Sequence, residues 1–215
     1  MNINIVYEDD DIIVCQKPIG VSSQYSDKEN MLSLLKDQLD LKELPYVIHR
    51  LDTAVGGLIV YSKNKKSASF LSRQVSDSQF TKKYYCVIHS KPENNTDTLT
   101  DYLFKDSRKN KSFVVKKERK GVKFASLEYE LIDSVEYKDE TLSLLKITLH
   151  TGRSHQIRVQ FSSRKMPLYG DGKYGGSDNC NIALFSCELG FKNQDDEIMN
   201  YKLKPEGFPW NLFDF

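Results

Sequence analysis

Apolar residues recur along the chain in short runs whose spacing switches between the period of a strand and that of a helix. Residues 3–7 and 12–16 are apolar runs divided by an acidic turn, which predicts a β-hairpin. Lys17-Pro18-Ile19-Gly20 then breaks the second strand. Met31, Leu34, Leu35 and Leu39 lie at helical spacing and predict an amphipathic helix over residues 27–41. Pro45 ends the connection, a loop follows, and residues 57–63 read as an apolar strand. Ala68, Leu71 and Val75 mark a second helix over 64–76. Beyond Lys82 strands dominate, at 84–89, 99–104, 113–116, 125–132 and 142–150. Gly152 then permits a turn into a third helix, with Ser154 as N-cap and Ile157 and Phe161 on one buried face. A glycine-rich stretch at 170–176 precedes strands at 182–191 and 198–204. Few helices and many strands, without regular alternation, predict an α+β fold with a mixed, mostly antiparallel sheet. Neither a repeat nor a linker divides the chain, so residues 1–215 are expected to form one domain.

Composition narrows the class. A chain of 215 residues with 39% hydrophobic and 28% charged positions can bury a sizeable core. No apolar run reaches the roughly 20 residues of a membrane span, and the opening Met1-Asn2-Ile3-Asn4 has neither the basic start nor the apolar stretch of a signal peptide. Cys15, Cys86, Cys180 and Cys187 are scattered and form no C-x-x-C pair. These features predict a cytoplasmic protein with reduced thiols, no membrane association and no structural zinc. The net charge of +1 conceals a segregation. Residues 105–123 hold nine Lys or Arg against Asp106 and Glu118, while acidic residues gather at 8–11, 133–140 and 195–197. A basic face on a neutral protein suits a polyanion. By itself the lysine run is as well explained by a solvated hairpin.

Two blocks shift that balance, His49-Arg50-Leu51-Asp52 and Thr151-Gly152-Arg153-Ser154-His155-Gln156-Ile157-Arg158. Both crowd cations beside apolar strands, where each charge must be desolvated or kept wet. Such crowding reads as a site for an anionic ligand. Asp52 precedes a buried strand, with Gly56-Gly57 allowing close approach, and a cationic partner would hold it ionised as a nucleophile or base requires. Arg158, between Ile157 and Val159, is the partner expected for it, the alternative being a surface arginine whose stem covers apolar area. Arg153 stands at the helix start, suited to phosphate beside unbonded backbone N–H groups. His49, His89, His150 and His155 lack metal-ligand spacing and read as packing or hydrogen-bonding residues. Gly170-Asp171-Gly172-Lys173 fails the phosphate-loop pattern and reads as a turn. In Tyr84-Tyr85, alternation sends one ring to each face of its strand.

Together these motifs resemble the RluA-type family of pseudouridine synthases. The family's H-R-L-D-x-x-T-S-G is similar to His49-Arg50-Leu51-Asp52-Thr53-Ala54-Val55-Gly56-Gly57, departing at Val55-Gly56. Its lysine and tyrosine motif matches Lys82-Lys83-Tyr84, its T-G-R-[TS]-H-Q-I-R-V matches residues 151–159, and its G-D-x-x-Y-G matches residues 170–175. Tyr7-Glu8-Asp9 and Lys17-Pro18-Ile19-Gly20 also look like that family, and the likeness runs from residue 3 to residue 204.

The resemblance implies a short, single-domain member without an S4-like module, a sheet in two lobes around a central catalytic cleft, and no cofactor or metal. It implies a monomer acting on a uridine in an rRNA or tRNA stem-loop. Asp52 would attack at the glycosidic carbon, or at the base, with Arg158 holding it ionised. Tyr84 would stack on the uracil or act as base. Arg50 would fill the gap left by the flipped nucleotide. Arg153, His155, Lys116, Lys117, Arg119 and Lys120 would contact RNA. Two rivals remain. A non-catalytic RNA-binding module that keeps the fold would make Asp52 dispensable, and a glycosidase would need a second carboxylate facing it, for which no acidic residue near the second block is an obvious candidate.

Overall fold

The computed structural model describes residues 1–176 and 180–215. In chain order it contains β1 (Asn4–Glu8), β2 (Ile12–Lys17), α1 (Met31–Gln38), β3 (Tyr46–Val47), β4 (Gly56–Ser62), α2 (Lys65–Ser76) and β5 (Thr81–His89). β6 (Thr96–Asp106), β7 (Lys111–Val115), β8 (Val122–Tyr137), β9 (Glu140–Leu149), α3 (Gln156–Ser162), β10 (Leu184–Lys192) and β11 (Ile198–Lys202) follow, with a 3-10 turn at Trp210–Leu212. The chain divides into two compact units, Met1–Lys82 with Phe185–Lys204, and Lys83–Leu184 with Pro205–Phe215. The class is α+β with a mixed, mostly antiparallel sheet, as the strand-rich pattern predicts. Among the described residues no helix is long and apolar enough to cross a membrane.

The first unit is built on β4, whose seven residues are all buried and whose two edges are both paired. β2 runs antiparallel along it from Ile12↔Ser62 to Lys17↔Gly57, and β3 pairs antiparallel at Tyr46 and Val47. β10 pairs parallel at Phe185↔Gly56 and Ser186↔Gly57. β1 extends the ladder beyond β2 and β11 extends it beyond β10. Leu71 of α2 closes the core against Leu58, Val60, Phe80 and Phe191, with the two phenylalanine rings stacked at 5.1 Å. α2 begins where the apolar spacing places it, because the Asn64 side chain accepts from the Ser67 N–H at 3.0 Å. α1 is shorter than its pattern. Asn30 accepts from Ser33 N–H and donates to the Ser26 and Lys28 carbonyls, so residues 27–30 form a capped turn and the helix starts at Met31.

In the second unit β5 pairs with β9, β9 with β8, β8 with β6 and β6 with β7, all antiparallel. Each expected strand is present and most are longer. β8 runs to Tyr137, where Lys138 and Asp139, both at positive φ, turn the chain straight into β9. α3 crosses one face of β6 and β8. Val159 packs with Leu103 and Ala125, Phe161 meets Tyr129 at 5.7 Å, and Gln160 donates to the Leu99 carbonyl and the Asp101 carboxylate. The helix start differs from expectation. The N-cap is His155, in left-handed backbone at φ 54° with no side-chain cap bond, and Ser154 instead offers its carbonyl to Ser112.

The β4–β10 pairing depends on one glycine. Gly57 has φ 113°, and a Cβ there would lie 2.3 Å from the Ser186 carbonyl oxygen. Gly57→Ala should lower stability by about 2 kcal/mol or more, from left-handed strain plus the clash. Urea unfolding of the two proteins measures the difference.

Candidate active site

Asp52 lies in the connection between β3 and β4, in a loop pinned from below. Leu51 and Val55 are buried on either side of it, Asp52 is half-buried, and Thr53 and Ala54 are exposed. A backbone bond from Val55 N–H to the Asp52 carbonyl at 2.9 Å closes the turn. The Leu51 carbonyl accepts from Ser23, and the Thr53 carbonyl accepts from Gly20 N–H at 2.8 Å.

Lys17, the last residue of β2, supplies the charge beneath this loop. Its side chain has no exposed surface, and its Nζ donates to the carbonyls of Pro18 (2.8 Å), Val21 (2.8 Å) and Thr53 (3.3 Å). Burial pulls the ammonium down from 10.5 to about 8, while the Asp52 carboxylate pulls it back up. Near neutral pH it is therefore mostly protonated, with a negative group as its electrostatic partner. Reading residues 17–20 as a strand-breaking turn missed this role. The one local sign is a lysine closing an apolar strand.

His49 anchors the start of the loop. Its Nε2 accepts from the Val60 N–H of β4 at 3.3 Å, which requires the Nδ1–H tautomer. Burial and then the Lys82 charge push it down to about 3, so the ring stays neutral. Arg50 is exposed, with Nη1 donating to Gln24 Oε1 at 3.1 Å.

In the second unit the Arg158 guanidinium is 7% exposed and forms a bidentate pair with Asp171, Nε to Oδ2 and Nη2 to Oδ1, both at 2.7 Å. Asp171 is 1% exposed, and its backbone carbonyl accepts from Tyr174 and Gly176, closing the turn at residues 170–176. The anion that a buried Arg158 requires thus comes from the stretch read as a plain turn. The stretch does form a turn, and its aspartate is a carboxylate that pairs with Arg158. Tyr174 completes the cluster. Its ring lies 5.1 Å from the Arg158 guanidinium, and its hydroxyl accepts from Ser112 N–H and lies 2.8 Å from His155 Nδ1. His155 is thereby fixed by Tyr174, and three of the four histidines (His49, His89 and His155) have the packing or hydrogen-bonding surroundings expected of them.

Arg153 is held on both sides. Its Nε donates to the Phe124 carbonyl at 2.8 Å, and its N–H donates to the Gln156 side chain, so that backbone group is not open to a phosphate as expected. Tyr84 is 6% exposed on β5 opposite Ile147. Tyr85 takes the other face, with Lys146 Nζ 5.8 Å from its ring centre and Phe215 at 4.8 Å. Lys116, Lys117, Arg119 and Lys120 are exposed in the β7–β8 connection. Asp52 and Arg50 belong to the first unit, and the other candidate residues to the second.

Comparison with known proteins places the chain in a family. The family model described as RNA pseudouridylate synthase matches residues 11–163. A chain from Aquifex aeolicus named an uncharacterized RNA pseudouridine synthase is 34% identical over 182 residues, covering 80% of this chain and 56% of that one. The ribosomal large subunit pseudouridine synthase D of Borreliella burgdorferi is 31% identical over 188 residues, covering 82% and 56%. The solved human RNA pseudouridylate synthase domain containing 1 shares the fold, with a TM-score of 0.84 at 20% identity over 99% of this chain and 86% of that one. The chain belongs to the RluA-type RNA pseudouridylate synthase family. It spans a little over half the length of the curated relatives it matches.

Two outcomes follow from this geometry. Asp171→Asn should cost about 3 to 5 kcal/mol of stability, because it removes the charge of a bidentate partner from a buried ion pair, and denaturant unfolding would show it. For Lys17, folding lowers the pKa from 10.5 to about 8, so the unfolded chain binds more protons across that window. The group's contribution to stability must then rise as the pH climbs from about 8 to 10.5. Unfolding of the unsubstituted protein and Lys17→Met across that range should show the difference moving in favour of the former.

Proposed function

We propose that the chain isomerises a specific uridine of structured RNA to pseudouridine, with Asp52 as nucleophile. Family membership supports the reaction, and the Asp52 loop is the observation that carries it. A half-buried carboxylate is held on a loop that hydrogen bonds and a buried ammonium tie to the sheet. A preorganised ionised group needs such a setting, because nothing has to reorganise when it attacks. In the product the sugar is bonded to a carbon of uracil instead of a nitrogen. One N–C bond breaks, one C–C bond forms, and a proton passes from that carbon to the nitrogen. Atoms and electrons balance within the substrate, so the reaction consumes no cofactor.

The other roles follow the family motif. Asp52 attacks at the glycosidic carbon, or at the base, and Arg158, its direction fixed by Asp171, is the cation assigned to that carboxylate. Tyr84 stacks on the uracil and is the candidate base. Arg50 takes the place of the flipped nucleotide, whose extrusion costs a few kcal/mol. Arg153, His155 and the basic segment with Lys116, Lys117, Arg119 and Lys120 meet the RNA backbone. The substrate is an rRNA or tRNA stem-loop, met in the cytoplasm by a monomer.

The test is to map pseudouridines by carbodiimide labelling in cells lacking the gene, complemented with the unsubstituted protein or with Asp52→Ala. A site restored only by the former is expected. On the purified components, Asp52→Asn should lower the single-turnover rate by at least about a thousandfold while leaving the RNA dissociation constant within about threefold. Appreciable turnover by that variant would remove Asp52 as nucleophile, and no modified site anywhere would leave an RNA-binding scaffold.

A further inference from the structure

The sheet of the second unit presents an aromatic face that the proposed chemistry does not use. In β6, β7 and β8 the directly paired residues share a side of the sheet. Tyr102 pairs with Phe124 on one flank and Val115 on the other, and Phe104 pairs with Phe113. Four aromatic rings from three adjacent strands therefore lie on one side. The opposite side carries Leu99, Leu103, Ala125 and Leu127, all buried, with α3 across it. The aromatic side is open to solvent. Phe124 is 47% exposed, Phe113 is 37% exposed, and Tyr102 and Phe104 are half-buried.

Cross-strand contact alone does not account for this patch. Tyr102 meets Phe124 edge-on at 6.1 Å, a contact worth about 0.5–1.5 kcal/mol, yet nearly half of the Phe124 surface stays in water. Cations frame the rings. The Arg119 guanidinium lies 5.6 Å from the Phe104 ring centre, and Lys111 Nζ, which donates to the Lys173 carbonyl, lies 6.0 Å from that of Phe113. Lys116, Lys117 and Lys120 stand exposed on the adjoining turn. Protein partners select against lysine at the centre of an interface. Exposed rings interleaved with Arg and Lys are instead the chemistry of single-stranded nucleic acid, in which each base stacks on a ring and each phosphate finds a cation.

We infer that the outer face of β6–β7–β8 is a stacking platform for unpaired nucleotides of RNA, with Phe113 and Phe124 as the principal rings. This surface rests on the reading that the chain binds RNA, and adds to it a second contact that recognises bases by their faces. Base identity at the platform matters little, because every base has a π-face. The platform therefore selects substrates that carry an unpaired stretch.

Fluorescence anisotropy with a labelled oligouridine of about a dozen nucleotides, and with an abasic ribose-phosphate oligomer of equal length, tests the inference on the full chain. Phe113→Ala/Phe124→Ala should weaken oligouridine binding by about thirtyfold or more, since stacking is worth about 1–3 kcal/mol per base and two rings are removed. Abasic binding and the salt dependence should stay as they are. A second variant, Phe124→Trp, should keep the affinity, and its added indole fluorescence should be quenched by oligouridine but not by the abasic oligomer. Unchanged oligouridine affinity in the double variant, or an unquenched Trp, overturns the platform. So does a dimer, seen by light scattering, that dissociates on the double substitution, because the face would then be covered by a second copy. Assaying pseudouridine formation by the unsubstituted protein separates this inference from the proposed reaction. Platform binding without any pseudouridine product would leave the platform standing and the reaction refuted, and modification with unaltered oligouridine affinity would do the reverse.

Discussion

Lys17 is the interaction on which the arrangement of the first unit turns. A buried ammonium costs several kcal/mol unless its donors are met, and here the acceptors are three main-chain carbonyls from two loops. Pro18 and Val21 belong to the chain leaving β2, and Thr53 is next to Asp52. The two loops cannot part without stripping the ammonium of a partner. The same side chain sets a positive charge in the field of the Asp52 carboxylate. One side chain thus supplies both mechanical attachment and electrostatic field. The Thr53 carbonyl, which also accepts from Gly20 N–H, is the atom through which they meet.

The second unit solves a related problem with opposite signs. There the cation, Arg158, is the group of interest and the buried anion, Asp171, is the support. The two carboxylate oxygens fix the plane of the guanidinium, and the Tyr174 ring lies 5.1 Å from it. His155 accepts left-handed backbone to enter α3, and its ring is oriented by the same tyrosine. Strain at a non-glycine residue persists only where surrounding contacts over-determine it, and this cluster provides them.

These two supports mark the limit of what the sequence reveals. Apolar spacing located the β1–β2 hairpin, the span of α2 and the existence of every long strand, because burial on one face of an element imposes its period directly. Boundaries escaped where backbone pairing outlasts the apolar pattern. β8 continues through polar positions to Lys138-Asp139, a turn made without the glycine or asparagine that advertises one. β3, of two residues, is too short to have a period. Asp52 and Arg158 stand out as candidates because each sits in a dense motif. Lys17 and Asp171 were not recognised as partners, since a lysine after a strand and an aspartate between glycines look like surface features until tertiary burial removes the water around them. The left-handed start of α3 has no local signature either, because histidine does not announce positive φ as glycine does.

The parallel pairing of β4 with β10 has a consequence for how the chain is made. β10 and β11 belong to the first unit, but they leave the ribosome only after nearly all of the second unit has been synthesised. Until then one edge of β4 next to Asp52 is a row of unpaired backbone groups beside Gly56 and Gly57. The second unit is continuous from Lys83 to Leu184 apart from its short C-terminal segment, and can assemble its antiparallel ladder while the first still waits. The Asp52 loop is therefore laid down early in synthesis together with Lys17 and Ser23, which hold it, while the strand edge beside Gly56 and Gly57 is completed only when β10 arrives.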